Sequence, residues 1–573
     1  MESSERSSGN SEHALPRVLT SASRFLLLLG GYFLLQIVLR LITSNTTDLD
    51  ESEQLLATQQ WQWGYGPQPP LYTWLLIPFV KTLGPGALAL ALLKDALLFG
   101  TYALTFASAR LMFRDAARSA LAALSLLFLP QIAWEAQRDL SHSVLVTFVA
   151  VATFFVVLRL KERLELNSVK TRENRRRPTW PLYLALGLCI AGGVLSKYSF
   201  LVFVGGLLIA GIAISSFRPI LLNPGIVISA TVCAIIVSPH LVWARQHADW
   251  VTSTSSKLKI ATDQPWLKTC AVGLKNLFTG AGSHLGPLLA FYCVVCWKRL
   301  PKSSIGMQNS EGEQSVIHTL TPSLPSEAGG EGRGEEKLSS RTHLPALRRR
   351  ERESKSVSLE RFAHSDASRF IRAGLIGMFA ILVIGIFAFH ITGFKDRWFM
   401  PLCIWVPLLL VAMFSARLNS TRIRRLIGIA AVIALVIAIL IPTRVWLAKT
   451  FRFPQVLNVP FDKLTLPMRN QLPSDAIIIA GDNWVGGNMK RCFPSNFVTS
   501  PNIFLDFHPT GTEAWLVWNA SKNEALPPKL RRFADELGIV DTNEFRYVSA
   551  PMKFWPERTS RLGLLHCTLR KSE

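Results

Sequence analysis

Apolar stretches of transmembrane length recur over most of the first 450 positions of the chain, at about 22–42, 86–109, 116–133, 142–160, 180–196, 200–216, 224–243, 276–297, 371–391, 401–416 and 426–447. A helix rises 1.5 Å per residue and the hydrocarbon core of a bilayer is about 30 Å thick, so roughly 20 such residues cross it once. The pattern predicts a mainly α, polytopic membrane protein with about 11 crossings. The first run, about Phe25 to Ile42, follows a polar leader holding Arg17 and Arg24 and lacks a small-residue cleavage site. It is expected to be a retained signal anchor behind a cytoplasmic tail, residues 1–21.

Two polar regions interrupt or follow these runs. Residues 303–367 carry no apolar periodicity and include the low-complexity stretch Ser323 to Gly334 and the run Arg348, Arg349, Arg350. This composition predicts a disordered cytoplasmic insertion. After the membrane region, 22–447, the composition becomes that of a globular domain, 448–573, with strands expected at Asp475 to Ala480 and Ala514 to Trp518. The piece GDNWVGGN, Gly481 to Asn488, lacks the Walker lysine and the GxGxxG spacing, and is read as a tight surface turn.

Charge adds an orientation. The formal net charge is +23, but the cations cluster between apolar runs: Arg110, Arg114 and Arg118, then Arg159, Lys161, Arg163, Lys170, Arg172, Arg175, Arg176 and Arg177. With the N-terminus inside, the basic loops at 110–118, 159–178, 298–370 and 417–425 all fall on the cytoplasmic side. Topology and anionic headgroups account for this charge, so nucleic acid is not an expected partner. An odd number of crossings sends 448–573 outside. Six of the eight cysteines lie in or beside spans and form no metal or disulfide framework. Cys293 and Cys296 read as small packing residues. Cys492 and Cys567 sit in a compartment that would permit a disulfide.

The first outer loop, 43–85, carries the candidate chemistry. From Asp48 to Tyr72 it holds four carboxylates (Asp48, Asp50, Glu51, Glu53) and no lysine or arginine. A solvated loop can carry such charge without a function, and spacing alone does not separate the two readings. Glycosyl transfer would give the carboxylates work: one accepts the proton of a hydroxyl as it attacks an anomeric carbon, and a neighbour orients the acceptor or the base.

In order along the chain stand Asp50–Glu51, Gly64–Tyr65, Pro69–Pro70–Leu71, Asp139, GVLSKY at Gly193 to Tyr198, SPHLVWARQH at Ser238 to His247 and KDRW at Lys395 to Trp398. Together these resemble glycosyltransferase family 39, the dolichyl-phosphate-mannose protein mannosyltransferase-like superfamily of the GT-C fold, which includes bacterial lipid A and lipopolysaccharide-core sugar transferases. The resemblance covers roughly residues 45–400. It implies a GT-C helix bundle with an extracytoplasmic C-terminal α/β domain in the bacterial inner membrane. It also implies inverting transfer of a hexosyl- or pentosyl-type sugar from a polyprenyl-phosphate carrier to a cell-envelope glycan or lipid. Asp50 is the chosen base, with Glu51 beside it and Asp48 as the alternative.

A phosphate leaving group calls for fixed cations, and Lys197, Arg397 and Lys395 are the candidates. Snorkelling for Lys197, and an ion pair of Arg397 with Asp396 or Asp139, are the structural alternatives. Asp139, His240, His247, Tyr65 and Tyr198 are expected near substrate, whereas Trp243 and Trp250 read as interfacial anchors. No zinc-binding spacing is present, while the acidic loop is compatible with Mg²⁺ or Mn²⁺. The competing classes are a secondary transporter or lipid flippase, whose acidic residues would lie within broken helices near the midplane, and a catalytically inactive scaffold of the same fold.

Overall fold

The computed structural model describes residues 21–168, 177–253, 258–260, 264–296, 365–506, 513–521, 523–541 and 545–569. Residues 1–20 of the expected N-terminal tail, residues 169–176 of the basic loop 159–178 and the insertion at 303–367 up to residue 364 lie outside them. The final residues of that expected insertion are helical, because Ser365 caps a helix that starts at Asp366.

Twelve helices carry the argument in the order α1 Ala22–Thr43, α2 Leu49–Ala57, α3 Leu71–Leu83, α4 Ala87–Phe113, α5 His142–Ser168, α6 Trp180–Ser196, α7 Phe200–Ala213, α8 Gly225–Gln246, α9 Trp266–Cys296, α10 Asp366–Phe389, α11 Ser420–Trp446 and α12 Asn483–Cys492. Among the described residues seven helices (α1, α4, α5, α8, α9, α10 and α11) are long and apolar enough to cross a membrane. Two further apolar segments are bent pairs: Ala116–Phe128 with Gln131–Arg138 at 80°, and Asp396–Cys403 with Val406–Met413 at 54°. Every apolar run read from the sequence thus has a helical counterpart. Eleven crossings are reached only if the shorter helices α6 and α7 cross as well. The run expected as one straight span from 116 breaks at Pro130, whose ring removes a helix donor and crowds the preceding turn.

The bundle is packed through its interior and apolar on its outside. Fully buried Trp405 gathers Phe154 of α5, Phe203 of α7 and Phe370 of α10 at centroid distances of 5.0, 4.9 and 6.1 Å. A Cβ on Gly374 would come 2.5 Å from the Trp405 ring, so α10 needs a residue without a side chain there. Leu27, Leu28, Val227, Ile235, Ile376 and Val432, by contrast, are exposed on the long helices. Such a surface suits lipid, where no helix gains by hiding leucine from water.

The C-terminal segment forms a six-stranded mixed sheet with β1 Ile477–Ala480, β2 Val498–Thr499, β3 Glu513–Asn519, β4 Ile539–Asp541, β5 Arg546–Met552 and β6 Trp555–Leu569. The order is β2-β1-β3-β6-β4, and β5 also pairs with β6. β1 is parallel to β2 and β3, and the remaining pairs are antiparallel. Both strands expected from sequence are present as β1 and β3. One face packs Leu564, Trp515 and Val517 with Leu56 and Tyr65 of the first outer loop. The other face is covered by helix α13, Pro528–Glu536.

The piece read as a surface turn, Gly481 to Asn488, is instead the start of α12. Asp482 caps it by accepting the Val485 N–H at 2.8 Å. It is also not on the surface: Trp484, Val485, Gly486, Gly487 and Asn488 are buried against α2. Cys492 and Cys567 are both free thiols, and they belong to opposite faces of the sheet.

Candidate active site

The acidic helix α2 sorts its carboxylates by phase. Asp48 is the N-cap, and with Glu51 it closes a capping box in which the Glu51 carboxylate accepts the Asp48 N–H at 3.0 Å. Glu51 faces the bundle. It is fully buried and takes Arg40 from the end of α1 at 2.6 and 3.1 Å, with Lys94 of α4 at 3.7 Å. Burial pushes its pKa upward, but the two cations and the hydrogen bonds outweigh that and hold it down at about 2. Glu51 is therefore a fixed anion that anchors the helix, and its carboxylate is already occupied.

Asp50 is one residue, or about 100°, further round the helix and points the other way. Glu53 is one turn on from it, on the same side. Both line a cavity of about 880 Å³ whose lining also includes Asn483 and Asn502 of the C-terminal unit. Asp50 is held at its backbone, where its N–H donates to Asp139 Oδ1 at 3.1 Å. Burial and the like charge of Glu53 raise its pKa to about 6, against the pull of Arg397, Lys197 and a hydrogen bond from the Ser141 backbone. A carboxylate poised there is ionised at neutral pH yet still a competent proton acceptor.

The cavity gathers residues from distant parts of the chain. The α6–α7 break supplies Lys197 and Tyr198, the start of α5 supplies Ser141, His142 and Ser143, and the KDRW segment supplies Arg397 and Trp398. Lys197 is the C-cap residue of α6, in extended conformation. Its buried ammonium donates to Ser143 Oγ at 2.8 Å. The lining also includes the apolar side chains of Val202, Leu258, Ile381, Leu382, Ile384 and Phe389. The space thus offers both charged and hydrocarbon-like lining.

Of the residues expected from sequence, Asp50, Lys197, Tyr198 and Arg397 meet in this cavity. The others stand outside its lining, each for a visible reason. Asp48 and Glu51 are spent on capping and ion pairing. Asp139 supports the Asp50 backbone, and Lys395 precedes the turn that presents Arg397. His240 is buried with Nδ1 at the Trp63 carbonyl (2.7 Å) and Nε2 at the Tyr198 hydroxyl (2.9 Å). His247 packs on Trp243 and Phe504. Tyr65 donates to the Gln60 carbonyl at 2.8 Å and lines a smaller adjoining pocket. Trp243 is buried rather than an interfacial anchor: its ring lies where a Cβ on Gly64 would come within 2.1 Å, which is the packing reason for the glycine of the Gly64–Tyr65 pair.

Sequence reasoning missed Glu53 as a lining residue, together with Gln54 and His142. Gln54 accepts from Thr73 (2.9 Å) and sits 3.0 Å from His142 Nε2. The helical spacing of Asp50, Glu53 and Gln54 was the available signal. Among the described residues no group of three or more His, Cys, Asp or Glu side chains converges to hold a metal. A Mg²⁺ or Mn²⁺ would have to draw on Asp50 and Glu53 together with substrate oxygens.

Comparison with known proteins bears on the family and the fold. Residues 67–243 match the family model described as dolichyl-phosphate-mannose-protein mannosyltransferase. The chain is 30% identical to lipopolysaccharide core galacturonosyltransferase RgtB of Rhizobium johnstonii over 90% of its own length and 93% of the relative's. It is 28% identical to RgtA of the same organism, over 92% and 94%. The crystal structure of ArnT from Cupriavidus metallidurans bound to undecaprenyl phosphate shares the fold, with a TM-score of 0.51 at 11% identity over 95% of this chain and 98% of that one. The chain belongs to the GT-C membrane glycosyltransferases, and within them to the family of the lipopolysaccharide core galacturonosyltransferases. It is a multi-pass membrane glycosyltransferase, and the transporter, flippase and inactive-scaffold readings are not favoured.

Proposed function

We propose that the enzyme transfers a galacturonosyl residue from a polyprenyl-phosphate carrier to a lipopolysaccharide-type glycan or lipid acceptor on the extracytoplasmic face of the bacterial inner membrane. The observation that carries this reading is the cavity whose lining brings Asp50, Lys197 and Arg397 together with apolar side chains of the bundle. A lipid-linked sugar phosphate has the same two components, an anionic head and a hydrocarbon chain. The names of the two relatives support the sugar and the acceptor class, and the lipid phosphate in the ArnT structure supports the carrier. Orientation rests on charge: α4 and α5 run from the acidic loop and the cavity toward Arg110, Arg114, Arg159 and Arg163, which the positive-inside rule places in the cytoplasm.

Lys197 and Arg397 hold the carrier phosphate, the arginine through its planar fork of donors. The acceptor hydroxyl donates its proton to the Asp50 carboxylate as its oxygen bonds to the anomeric carbon from the side opposite the phosphate. The bond from anomeric carbon to phosphate oxygen breaks, and the electron pair leaves with the polyprenyl phosphate, whose charge the two cations stabilise. The configuration inverts. Asp139 keeps Asp50 in place, and Glu51 keeps the helix in place.

The donor is tested by supplying purified enzyme with polyprenyl-phosphate galacturonic acid or the matching neutral galactose donor and identifying the product by mass spectrometry. Uronosyl transfer in clear preference to galactosyl transfer is expected. Preference for the neutral donor would overturn the sugar assignment.

A further inference from the structure

The run WLAKTFRFP, Trp446 to Pro454, carries the chain from the end of α11 into the C-terminal unit. Trp446, Leu447, Phe451 and Phe453 are all exposed, the two phenylalanines at 60% and 65%. A loop in water rarely exposes so many large apolar side chains in one short run. Lys449 and Arg452 are exposed among them. Their sign is as unexpected as the apolar surface. Arg422, Arg424 and Arg425 stand at the start of α11, so in the orientation proposed above its other end lies outside, where the positive-inside bias supplies no cations. Lys449 pairs with Glu557 of β6. Arg452 has no carboxylate within ion-pair distance among the described residues.

The backbone fixes that arginine in place. The Phe453 N–H donates to the Ala448 carbonyl and the Arg452 N–H to the Lys449 carbonyl, both at 3.1 Å. This pair of bonds ends a helical turn with one residue in the left-handed region, a position that ordinarily falls to glycine. Here it is Arg452, at φ 51°. A residue with a Cβ is strained there, so the arginine is the costlier choice for the turn. The result is an unpaired guanidinium held between two exposed phenylalanines just beyond a membrane-spanning helix. The lipid-facing side chains Leu435, Ile439 and Leu440 of α11 lead up to it, which favours lipid over a protein as the partner. Aromatic rings beyond the end of a span sit at the headgroup boundary. An arginine there lays its stem along apolar surface and offers a fork of donors that matches phosphate oxygens. A zwitterionic headgroup would bring a second cation beside it, and an anionic one would not. The same end of α11 is fastened to the C-terminal unit: buried Asn458 donates to the Val445 carbonyl at 3.0 Å, and its own carbonyl accepts the N–H of Lys553, between β5 and β6, at 2.9 Å.

We infer that Trp446 to Phe453 form a docking site for an anionic membrane phospholipid, with Phe451 and Phe453 entering the acyl boundary and Arg452 taking the headgroup phosphate. None of these residues lines the cavity of Asp50, so this site is separate from that of the sugar carrier.

The test reads lipid binding with neither donor nor acceptor present. Full-length wild type and one variant at a time are mixed in detergent and titrated with phosphatidylglycerol, or with phosphatidylcholine of the same chain lengths, and lipid occupancy of both proteins is read in one native mass spectrum. Arg452→Gly puts glycine in the left-handed position, so it is expected to fold at least as well, which an unfolding temperature no lower than that of the wild type verifies. Its binding of phosphatidylglycerol is expected to weaken about fivefold, the worth of one basic residue at an anionic surface, with binding of phosphatidylcholine unchanged. Arg452→Lys is expected to keep most of the binding. The double variant Phe451→Ser, Phe453→Ser is expected to lose affinity for both lipids alike. Undiminished phosphatidylglycerol binding by Arg452→Gly would overturn the assignment. An equal loss for both lipids in that variant would overturn it too, because Arg452 would then be only structural.

Discussion

At the scale of single residues the account turns on which way each carboxylate of one short helix points. Asp50, with its pKa raised to about 6 by burial and by Glu53, has to be ionised to act as a base. Transfer is therefore expected to be flat above that pH and to fall about tenfold per unit below it, measured as kcat/KM against pH. Replacing Glu53 with glutamine removes a like charge, which lowers the Asp50 pKa. The acid limb should move to lower pH in that variant, and an unmoved limb would count against Asp50 as the titrating base. Lys197→Met should lower kcat by about 10²-fold or more if the ammonium stabilises the departing phosphate. A change confined to protein abundance would instead mark Lys197 as structural. Asp50, Lys197 and Arg397 were legible in sequence because their chemistry stands out against apolar surroundings. The division of labour between Asp50 and Glu51 was not read, although a step of about 100° per residue separates them onto different faces. What fixes Glu51 inward is Arg40, a residue that reads from sequence as an ordinary helix-end cation.

At the scale of elements, α2 is short and mostly polar, and it is held by its partners rather than by its propensity. Glu51→Ala would leave Arg40 and Lys94 buried without a counter-charge, a loss of about 3–5 kcal/mol, seen as a lower thermal unfolding temperature in detergent together with lost activity. The pH dependence of that contribution follows from the lowered pKa. It is present in full above about 4.5, the ordinary glutamate value, and is lost as pH falls toward the folded value of about 2. Gly487→Val should separate α12 from α2, because the atom it would meet is the backbone carbonyl of Ser52, which has no rotamer to escape into. Weakened transfer with normal membrane insertion is the expected result. α12 was misread from sequence because its buried residues, Trp484 to Met489, run without a break and mix two glycines and an asparagine with the apolar side chains, which gives no apolar stripe. Its start was legible all the same in Asp482, a helix-capping residue. The bend at Pro130 had a similar signal. The strands β1 and β3 were found because continuous apolar runs such as Ile477 to Ala480 leave few alternatives.

At the scale of the whole molecule, hydrophobicity alone located the membrane region, since a chain with leucine and isoleucine exposed along its longest helices has lipid as its solvent. Hydrophobicity could not place the C-terminal unit on the first outer loop. That contact joins residues more than 400 positions apart, such as Ser44 with the Leu457 carbonyl at 2.6 Å and Thr46 with that of Val459 at 2.7 Å, and it depends on side chains that look like ordinary loop polarity. The consequence is that the site is completed by both regions, the membrane region supplying the cations and apolar lining and the C-terminal unit packing on the acidic helix. The central claim is that Asp50 performs the chemistry in this shared cavity. It is tested most directly by radiolabelled sugar transfer from polyprenyl-phosphate donor in membranes holding matched amounts of wild type and Asp50→Asn. Transfer by the wild type with a drop of at least 10²-fold in the variant is the predicted result, and equal transfer by the two proteins would contradict it.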